Sequence, residues 1–374
     1  MGLHIGIDGS CMTAQKAGIG FYVARLLQAL DKLPGEERYT IFSNKQIPEL
    51  GLSNRFQAVI TPFRSSTIWA QTILRFQLHK HPVDLYHSGS VGIPLWYRGN
   101  TVITVHDLSY LQSPSQKDWA TRILWGWIGP KLIRQSTHIL ADSESTKEDV
   151  IHRLGISDSK ITTVYLAADP LFRPIEDKES IQRFRKKHGL ERDFILFVGT
   201  LEPRKNLPFL MRCFAKCIRE GRIDGDLVIV GKKGWLCDKI FETERELGLG
   251  DRLKFIGYVD DAEDLRRYYC GCRFFALPSL MEGFGLPPLE AMGCGVPVIA
   301  SDRGSLPEVV GDAGLLLDPE DSQAWEDALA RWWNAPGLSE WKEKGLRQAA
   351  KFSWQQTAEQ TLEVYRRVTE PAKM

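Results

Sequence analysis

No run of about 18 apolar residues occurs in this 374-residue chain, so no segment reads as a membrane-spanning helix. The first residues, Met1-Gly2-Leu3-His4-Ile5, lack the charged-then-apolar layout of a secretory signal, and a cytoplasmic protein is expected. There is no Cys-x-x-Cys pair. The seven cysteines, Cys11, Cys213, Cys217, Cys237, Cys270, Cys272 and Cys294, are odd in number and scattered, which favours reduced thiols over a disulfide framework or a zinc site. The zinc-protease motif His-Glu-x-x-His and the nucleophile elbow Gly-x-Ser-x-Gly are both absent. No solenoid-length repeat or low-complexity tract occurs. An excess of one charge is missing too: 48 Lys and Arg face 47 Asp and Glu, which excludes a bulk polyanion such as nucleic acid as the main partner. With 43% hydrophobic and 25% charged residues, the composition is that of a soluble globular protein. At roughly 100–200 residues per domain, the length fits two or three domains.

What is present is an alternation of short apolar strands and helix-length segments. Strands are predicted at Leu3–Asp8, Tyr39–Ser43, Asp84–His87, Thr101–His106, His138–Ala141 and Ile161–Leu166, with helices at Gly20–Asp31, Lys117–Gln135 and Ser145–Leu154. Ser143 and Ser145 can cap the last of these, and Glu148 can complete a capping box. The proline-punctuated stretch Ala168–Pro174 and the polar run Glu176–Arg192 then interrupt the pattern. A second series follows at Phe194–Gly199, Leu227–Gly231, Leu253–Tyr258, Phe274–Pro278, Val296–Ser301 and Leu315–Asp318, and the chain from Gln323 to about Val368 reads as helix. Its tryptophans (Trp325, Trp332, Trp333, Trp341, Trp354) read as packing residues. The expected architecture is therefore α/β: two doubly wound, Rossmann-like domains, residues 1–168 and 169–354. Ligands sit outside the carboxyl ends of the strands in such sheets, and two facing sheets would put the site in an interdomain cleft.

Two loops carry the densest chemistry. In Pro278–Glu290, a strand ends, glycines follow and a helix opens near Pro287, so amides at Gly283, Gly285 and Leu286 would form an anion site at a helix N-terminus. Glu290 would lie in the first turn, suited to a sugar diol, and Glu282 before the glycines. In Gly199–Leu207, Arg204 and Lys205 sit at the end of the first strand of the second series, a guanidinium beside an ammonium suited to a diphosphate, with Asn206 as the cap of the next helix. An exposed basic turn is the competing explanation. Gly18-Ile19-Gly20 after the first strand is a weaker phosphate loop, and His106 ends a strand where it would reach a ligand or else be satisfied in the core. The acidic pair Asp260-Asp261 reads as a helix start, so a metal-free diphosphate site is expected.

On these residues the chain resembles the retaining, nucleotide-sugar-dependent glycosyltransferases of family 4, which have the GT-B fold. Their E-x7-E signature is matched by Glu282 and Glu290, their basic pair by Arg204-Lys205 in G-T-L-E-P-R-K-N-L, their histidine by His106 in V-H-D-L, and their N-terminal glycine loop by Gly18-Ile19-Gly20. Gly231-Lys232-Lys233-Gly234-Trp235 also fits the pattern. The resemblance implies that Arg204 and Lys205 stabilise the leaving diphosphate and that Glu290 binds the ribose hydroxyls. Glu282 would bind the transferred sugar, helped by the backbone from Gly283 through Phe284 and Gly285 to Leu286. His106 would contact that sugar from the acceptor side, Gly18 and Gly20 would admit the phosphates, and Val259 would pack on the nucleobase. It also implies that a final segment, residues 355–374, returns to the first domain, and that no cofactor or metal is needed beyond the nucleotide sugar. The motifs look most like bacterial mannosyl- or rhamnosyltransferases of surface polysaccharide assembly, with GDP-mannose as donor and a glycan or lipid-diphosphate-linked acceptor.

Charge is unevenly spread. Between Ile60 and Leu140, eight Lys or Arg face three Asp, interleaved with Trp69, Phe76, Trp119, Trp125 and Trp127, so this face is expected either to touch anionic lipid at the inner membrane surface or to pack as ordinary amphipathic helices. A nicotinamide-dependent dehydrogenase is discounted because no Gly-x-Gly-x-x-Gly follows the first strand. A non-catalytic nucleotide-sugar-binding or scaffold subunit and a phosphorylase or epimerase of the same fold remain as rivals.

Overall fold

The computed structural model describes residues 2–12, 18–90, 92–108 and 128–370. They divide into two compact units, Met1–Leu166 with Ser353–Met374, and Ala167–Phe352. The first unit is built on a seven-stranded parallel sheet: β1 (His4–Asp8), β2 (Arg38–Ser43), β3 (Phe56–Ile60), β4 (Leu85–Ser88), β5 (Asn100–Val105), β6 (His138–Ala141) and β7 (Ile161–Thr163), in the order β3-β2-β1-β4-β5-β6-β7. The central strands are near-continuous apolar runs because helices cover both faces. The first helix, Ile19–Lys32, turns Tyr22, Val23, Leu26, Leu27 and Leu30 inward as one stripe. From β1 the crossovers run outward to β2 and β3, and from β4 to β5, β6 and β7. The winding reverses between β1 and β4, where the carboxyl ends open a crevice.

The second unit repeats this plan with β8 (Phe194–Val198), β9 (Asp226–Val230), β10 (Leu253–Gly257), β11 (Phe274–Leu277), β12 (Val298–Ser301) and β13 (Leu315–Leu317), all parallel, in the order β10-β9-β8-β11-β12-β13. Its reversal lies between β8 and β11. Gly231, just after β9, approaches the backbone of Gly199 so closely that a Cβ would lie 1.8 Å from the Gly199 carbonyl oxygen. A side chain there would hold the loops after β8 and β9 apart, which gives G-K-K-G-W a packing reason for its first glycine.

The terminal stretch is three helices, Ser322–Asn334, Ser339–Ala349 and Trp354–Thr369, broken at Pro336-Gly337 and at the cap Ser353. The last belongs to the first unit through a buried polar chain. His87 Nδ1 lies 2.5 Å from Tyr365 Oη, His87 Nε2 pairs with Thr104 at 2.8 Å, and Thr104 pairs with Tyr22 at 2.9 Å. Burial pushes the His87 ring down to about 3, so it is neutral near pH 7 and its two nitrogens can be served by hydroxyls alone. Leaving one of these buried groups unpaired would cost about 1–3 kcal/mol.

Several local expectations are corrected. The strand Phe56–Ile60 had no pattern to betray it, because it lies at the sheet edge with Gln57 and Ala58 exposed. The polar run Glu176–Arg192 contains the helix Lys178–Lys187, which needs only Ile181 and Phe184 to hold it down. The helix before β7 spans Glu144–Leu154 and is capped by Ser143 through the Thr146 amide, so Glu148 is two residues too late to close the box. Asn206 does not cap with its side chain, which donates instead to the Pro319 carbonyl at 3.0 Å. Trp69, assigned to the basic face, is fully buried. Lys117, Trp119, Arg122, Trp125 and Trp127 lie outside the described residues, as does most of the helix expected at Lys117–Gln135, of which Gly129–Gln135 is seen. No helix among the described residues is long and apolar enough to cross a membrane, and all seven cysteines are free thiols.

Candidate active site

The residues singled out in the second unit emerge from the adjacent strands at its winding reversal. β8 and β11 pair in parallel, Phe275 against Leu196, so the loops that follow them leave the sheet side by side. The Leu280 amide donates to the Arg204 carbonyl at 2.8 Å and fastens the two loops together. Ser305 donates to the carbonyls of Glu282 and Phe284, and Ser301 to that of Ser279, anchoring the second loop to the chain around β12.

On this frame Glu282 is the hub. Its Oε1 accepts from Lys205 Nζ at 2.5 Å and Ser279 Oγ at 2.6 Å, and its Oε2 accepts from Arg204 Nη1 at 3.0 Å. Burial works against its charge, but Lys205 and Arg204 outweigh that and hold the carboxyl below its usual range. Arg204 Nε also lies 2.5 Å from Glu202 Oε1. Two cations are thus balanced by two carboxylates. The pair is not equivalent: the Lys205 side chain is only 7% exposed, whereas Arg204 keeps 27%, so Arg204 is the cation with more surface toward solvent. The sequence pattern kept Glu282 apart from the basic pair; the structure joins all three.

Gly285, with φ 100°, precedes the helix Leu286–Gly293, whose first three residues offer one N–H, that of Leu286, because Pro287 and Pro288 have none; the Leu289 amide donates to the Gly285 carbonyl. Phe284 turns inward against Phe352, ring centroids 5.8 Å apart, so its side chain packs in the core rather than facing a ligand. Glu290 is the fifth residue of that helix, past the first turn expected for it, partly buried, and accepts from the Tyr269 hydroxyl at 2.8 Å. Burial pushes its carboxyl up to about 7. Tyr269, at the end of the helix Ala262–Gly271, was missed, and an aromatic on a packed helix gives no sequence signal for such a role. Val259 follows the edge strand β10, partly exposed, with β9 between it and β8.

The metal-free expectation took the chain to hold no Asp-x-Asp dyad, and Asp224-Gly225-Asp226 is one. It lies at the amino end of β9, away from the carboxyl edge, and its charges are taken by Arg252, Arg192 and Lys254. Among the described residues no group of three His, Cys, Asp or Glu could hold a metal ion.

In the first unit, β5 and β6 pair Val105 with Ala141, so the next residues, His106 and Asp142, leave the sheet together. His106 Nδ1 lies 2.5 Å from Asp142 Oδ2, and Nε2 lies 2.9 Å from the Gly89 carbonyl. A carbonyl only accepts, so Nε2 carries a proton, and Nδ1 faces the Asp142 carboxyl group. Burial opposes a charge on the ring, but Asp142 outweighs it and raises the His106 pKa above the usual histidine value. Asp142 was not foreseen, because its partner is set by strand register. Asp142→Asn is expected to lower the His106 pKa by about one unit or more, read by NMR titration of the ring protons. Gly18 is the N-cap of the first helix at φ 58°, and a Cβ on Gly20 would lie 2.5 Å from the Cys11 carbonyl oxygen, so both glycines have a backbone requirement of their own.

Residues 178–366 match the family of glycosyl transferases group 1, and residues 17–170 match glycosyltransferase family 4. The chain belongs to these glycosyltransferases. Among relatives of this glycosyltransferase, O-antigen chain mannosyltransferase B of Escherichia coli is 32% identical over 75% of this chain and 74% of that protein. The serotype-specific mannosyltransferase WbdA of Escherichia coli is 31% identical over 73% of the chain, which spans only 34% of it. The D-inositol 3-phosphate glycosyltransferase of Rhodococcus jostii is 29% identical over 74% of the chain and 62% of that protein. The structure of Anabaena HepE in complex with UDP and glucose superposes with a TM-score of 0.76 at 18% identity, covering 97% of this chain and 99% of that one. The two doubly wound units of this glycosyltransferase are accordingly those of the GT-B fold.

Proposed function

We propose that this glycosyltransferase moves mannose from GDP-mannose onto a glycan or lipid-linked acceptor in surface polysaccharide assembly, with retention at the anomeric carbon and without a metal. The observation that carries the reading is the Glu282–Arg204–Lys205 network at the winding reversal of the second unit. The relatives named as O-antigen and serotype-specific mannosyltransferases support the choice of sugar. Arg204 meets the charge that develops on the departing diphosphate, assisted by the Gly285 and Leu286 amides where the helix Leu286–Gly293 begins, and such preorganised charge commonly dominates catalysis of this kind. Glu290 accepts from the ribose hydroxyls. Glu282 positions the sugar and the cations rather than attacking: both its oxygens already accept hydrogen bonds and its basicity is reduced, which makes a poor nucleophile. His106, fixed by Asp142, is assigned to the acceptor side of the transfer.

A panel of nucleotide sugars, scored for released nucleoside diphosphate with and without chelator, tests this. GDP-mannose is expected to be turned over best, equally with chelator present, with the product's anomeric configuration retained by NMR. Turnover of other nucleotide sugars only, or of none, would contradict the assignment. The same proposal includes peripheral contact with an anionic membrane through the first unit, where Ile68 and Phe76 are 54% and 75% exposed beside Arg64, Arg75 and Lys80. No flotation with anionic vesicles at low salt would remove that part.

A further inference from the structure

The winding reversal of the first unit, between β1 and β4, holds a small cavity of about 150 Å³ that the donor chemistry does not use. That is below the roughly 300–1,000 Å³ of a pocket enclosing a whole drug-sized ligand, so it suits one end of a larger molecule. Its lining includes Asp8, Ser10, Ser66, Thr67, Gln71 and Ser90. Asp8 ends β1 and is almost completely buried. Its Oδ1 accepts from the Ser10 amide at 2.9 Å and its Oδ2 from Ser88 Oγ at 3.1 Å. The Oδ2 edge is packed on Gly92, where a Cβ would come within 2.5 Å of it. A carboxylate has room for about four hydrogen bonds, and with the Ser10 hydroxyl also donating to it this one retains capacity for one further donor entering the cavity. Burial pushes this carboxyl above its usual range, so it gains from a further donor.

The charge of the wall is as informative as its polarity. Hydroxyls, the Asp8 carboxylate and Gln71, whose amide is held by the Ile93 carbonyl and the Leu95 N–H, line the cavity with the apolar Ala70, Ile128 and Leu132, and among the described lining residues there is no Lys, Arg or His. Lys45 acts on Asp8 through space without lining the cavity. Phosphate recognition calls for guanidinium, ammonium or convergent backbone amides, whereas a buried carboxylate repels a phosphate and accepts from neutral hydroxyls. The relatives offer both acceptor chemistries by name, an O-antigen chain in one and an inositol phosphate in another.

We infer that this cavity binds the terminal sugar of an uncharged glycan acceptor through hydroxyl donation to Asp8, and that it discriminates against acceptors whose ring bears a phosphate. The inference rests on the glycosyl-transfer reading above and narrows its acceptor. Asp8 is a positioning and specificity residue.

The test offers methyl α-mannoside and mannose 6-phosphate as alternative acceptors to the full chain with its nucleotide sugar. Transfer to the neutral probe is expected to exceed transfer to the phosphorylated one at least tenfold. Asp8→Asn is expected to raise the KM for methyl α-mannoside at least tenfold with the donor KM changed less than twofold, and Asp8→Glu to recover part of the loss. Because Asp8 is buried, Thr67→Trp, which fills the cavity from its partly exposed wall, provides a second variant with the same expected split. Equal use of the two probes, or an unchanged acceptor KM in both folded variants, would overturn the acceptor assignment while leaving donor turnover intact. Failure of the native chain to bind any nucleotide sugar would overturn the transferase reading and this inference with it.

Discussion

Lys205→Ala is expected to destabilise the second unit by about 3–5 kcal/mol, the cost of removing one partner from a buried ion pair. Lys205 and Glu282 are both nearly closed to solvent, with 7% and 6% of their side chains exposed, so the glutamate would be left charged and undersolvated. Ser279 and Arg204 would remain as its partners and temper the loss. Glu282→Ala strands the ammonium in the same way and also removes turnover. The double variant, which removes both charges, is expected to be less destabilised than the sum of the singles; urea unfolding of the four proteins reads the coupling directly. Arg204→Ala should behave differently. Its guanidinium is more exposed, so stability falls little while donor affinity drops. Additive losses from Lys205→Ala and Glu282→Ala would show that the buried pair is not the structural centre of the site.

Donor affinity is expected to weaken as the pH falls below about 7, because burial holds the Glu290 carboxyl up to about 7 while ribose hydroxyls donate best to its ionised form. Binding should strengthen up to that pH and level off above it. Below it, each pH unit weakens binding by up to about tenfold. Stability carries the opposite sign. The folded pKa lies above the ordinary value of 4.5, so the free protein binds this proton more tightly than the unfolded chain does. That contribution is present at low pH and lost as the pH rises through about 7. Glu290→Gln should therefore raise the melting temperature at about pH 8, leave it unchanged near pH 4, and bind donor weakly with little pH dependence. Calorimetric titration and thermal unfolding over that range check both signs. A variant that binds donor as well as the native chain would remove Glu290 from the nucleotide site.

How far the sequence spoke depended on whether a feature was local. Both parallel sheets were readable because fully buried strands such as Phe194–Val198 are unbroken apolar runs, whereas the edge strand Phe56–Ile60, half exposed, was not. The loops bearing Arg204-Lys205 and Glu282–Glu290 stood out through glycines and charges at strand ends. Their junction did not, because it depends on β8 and β11 being neighbours although two strands intervene in sequence. The same holds for His106 with Asp142, set by the register of β5 on β6, and for Tyr269 on Glu290. Asp8 was legible as a strand end and nothing more; its place in a cavity follows from Ser88, at the end of β4 across the winding reversal. Charge counting named a basic face but could not see that Trp69 points inward.

The most direct test of the central claim is amide hydrogen exchange of the full chain with each of GDP, UDP, ADP, CDP and dTDP. The account predicts that the nucleoside diphosphate bound best, GDP, protects the segments Gly199–Leu207 and Glu282–Met292, and that Arg204→Ala and Glu290→Ala reduce that protection. Protection confined to other segments, or none with any of the five, would contradict a nucleotide-sugar site built on Glu282, Arg204 and Lys205.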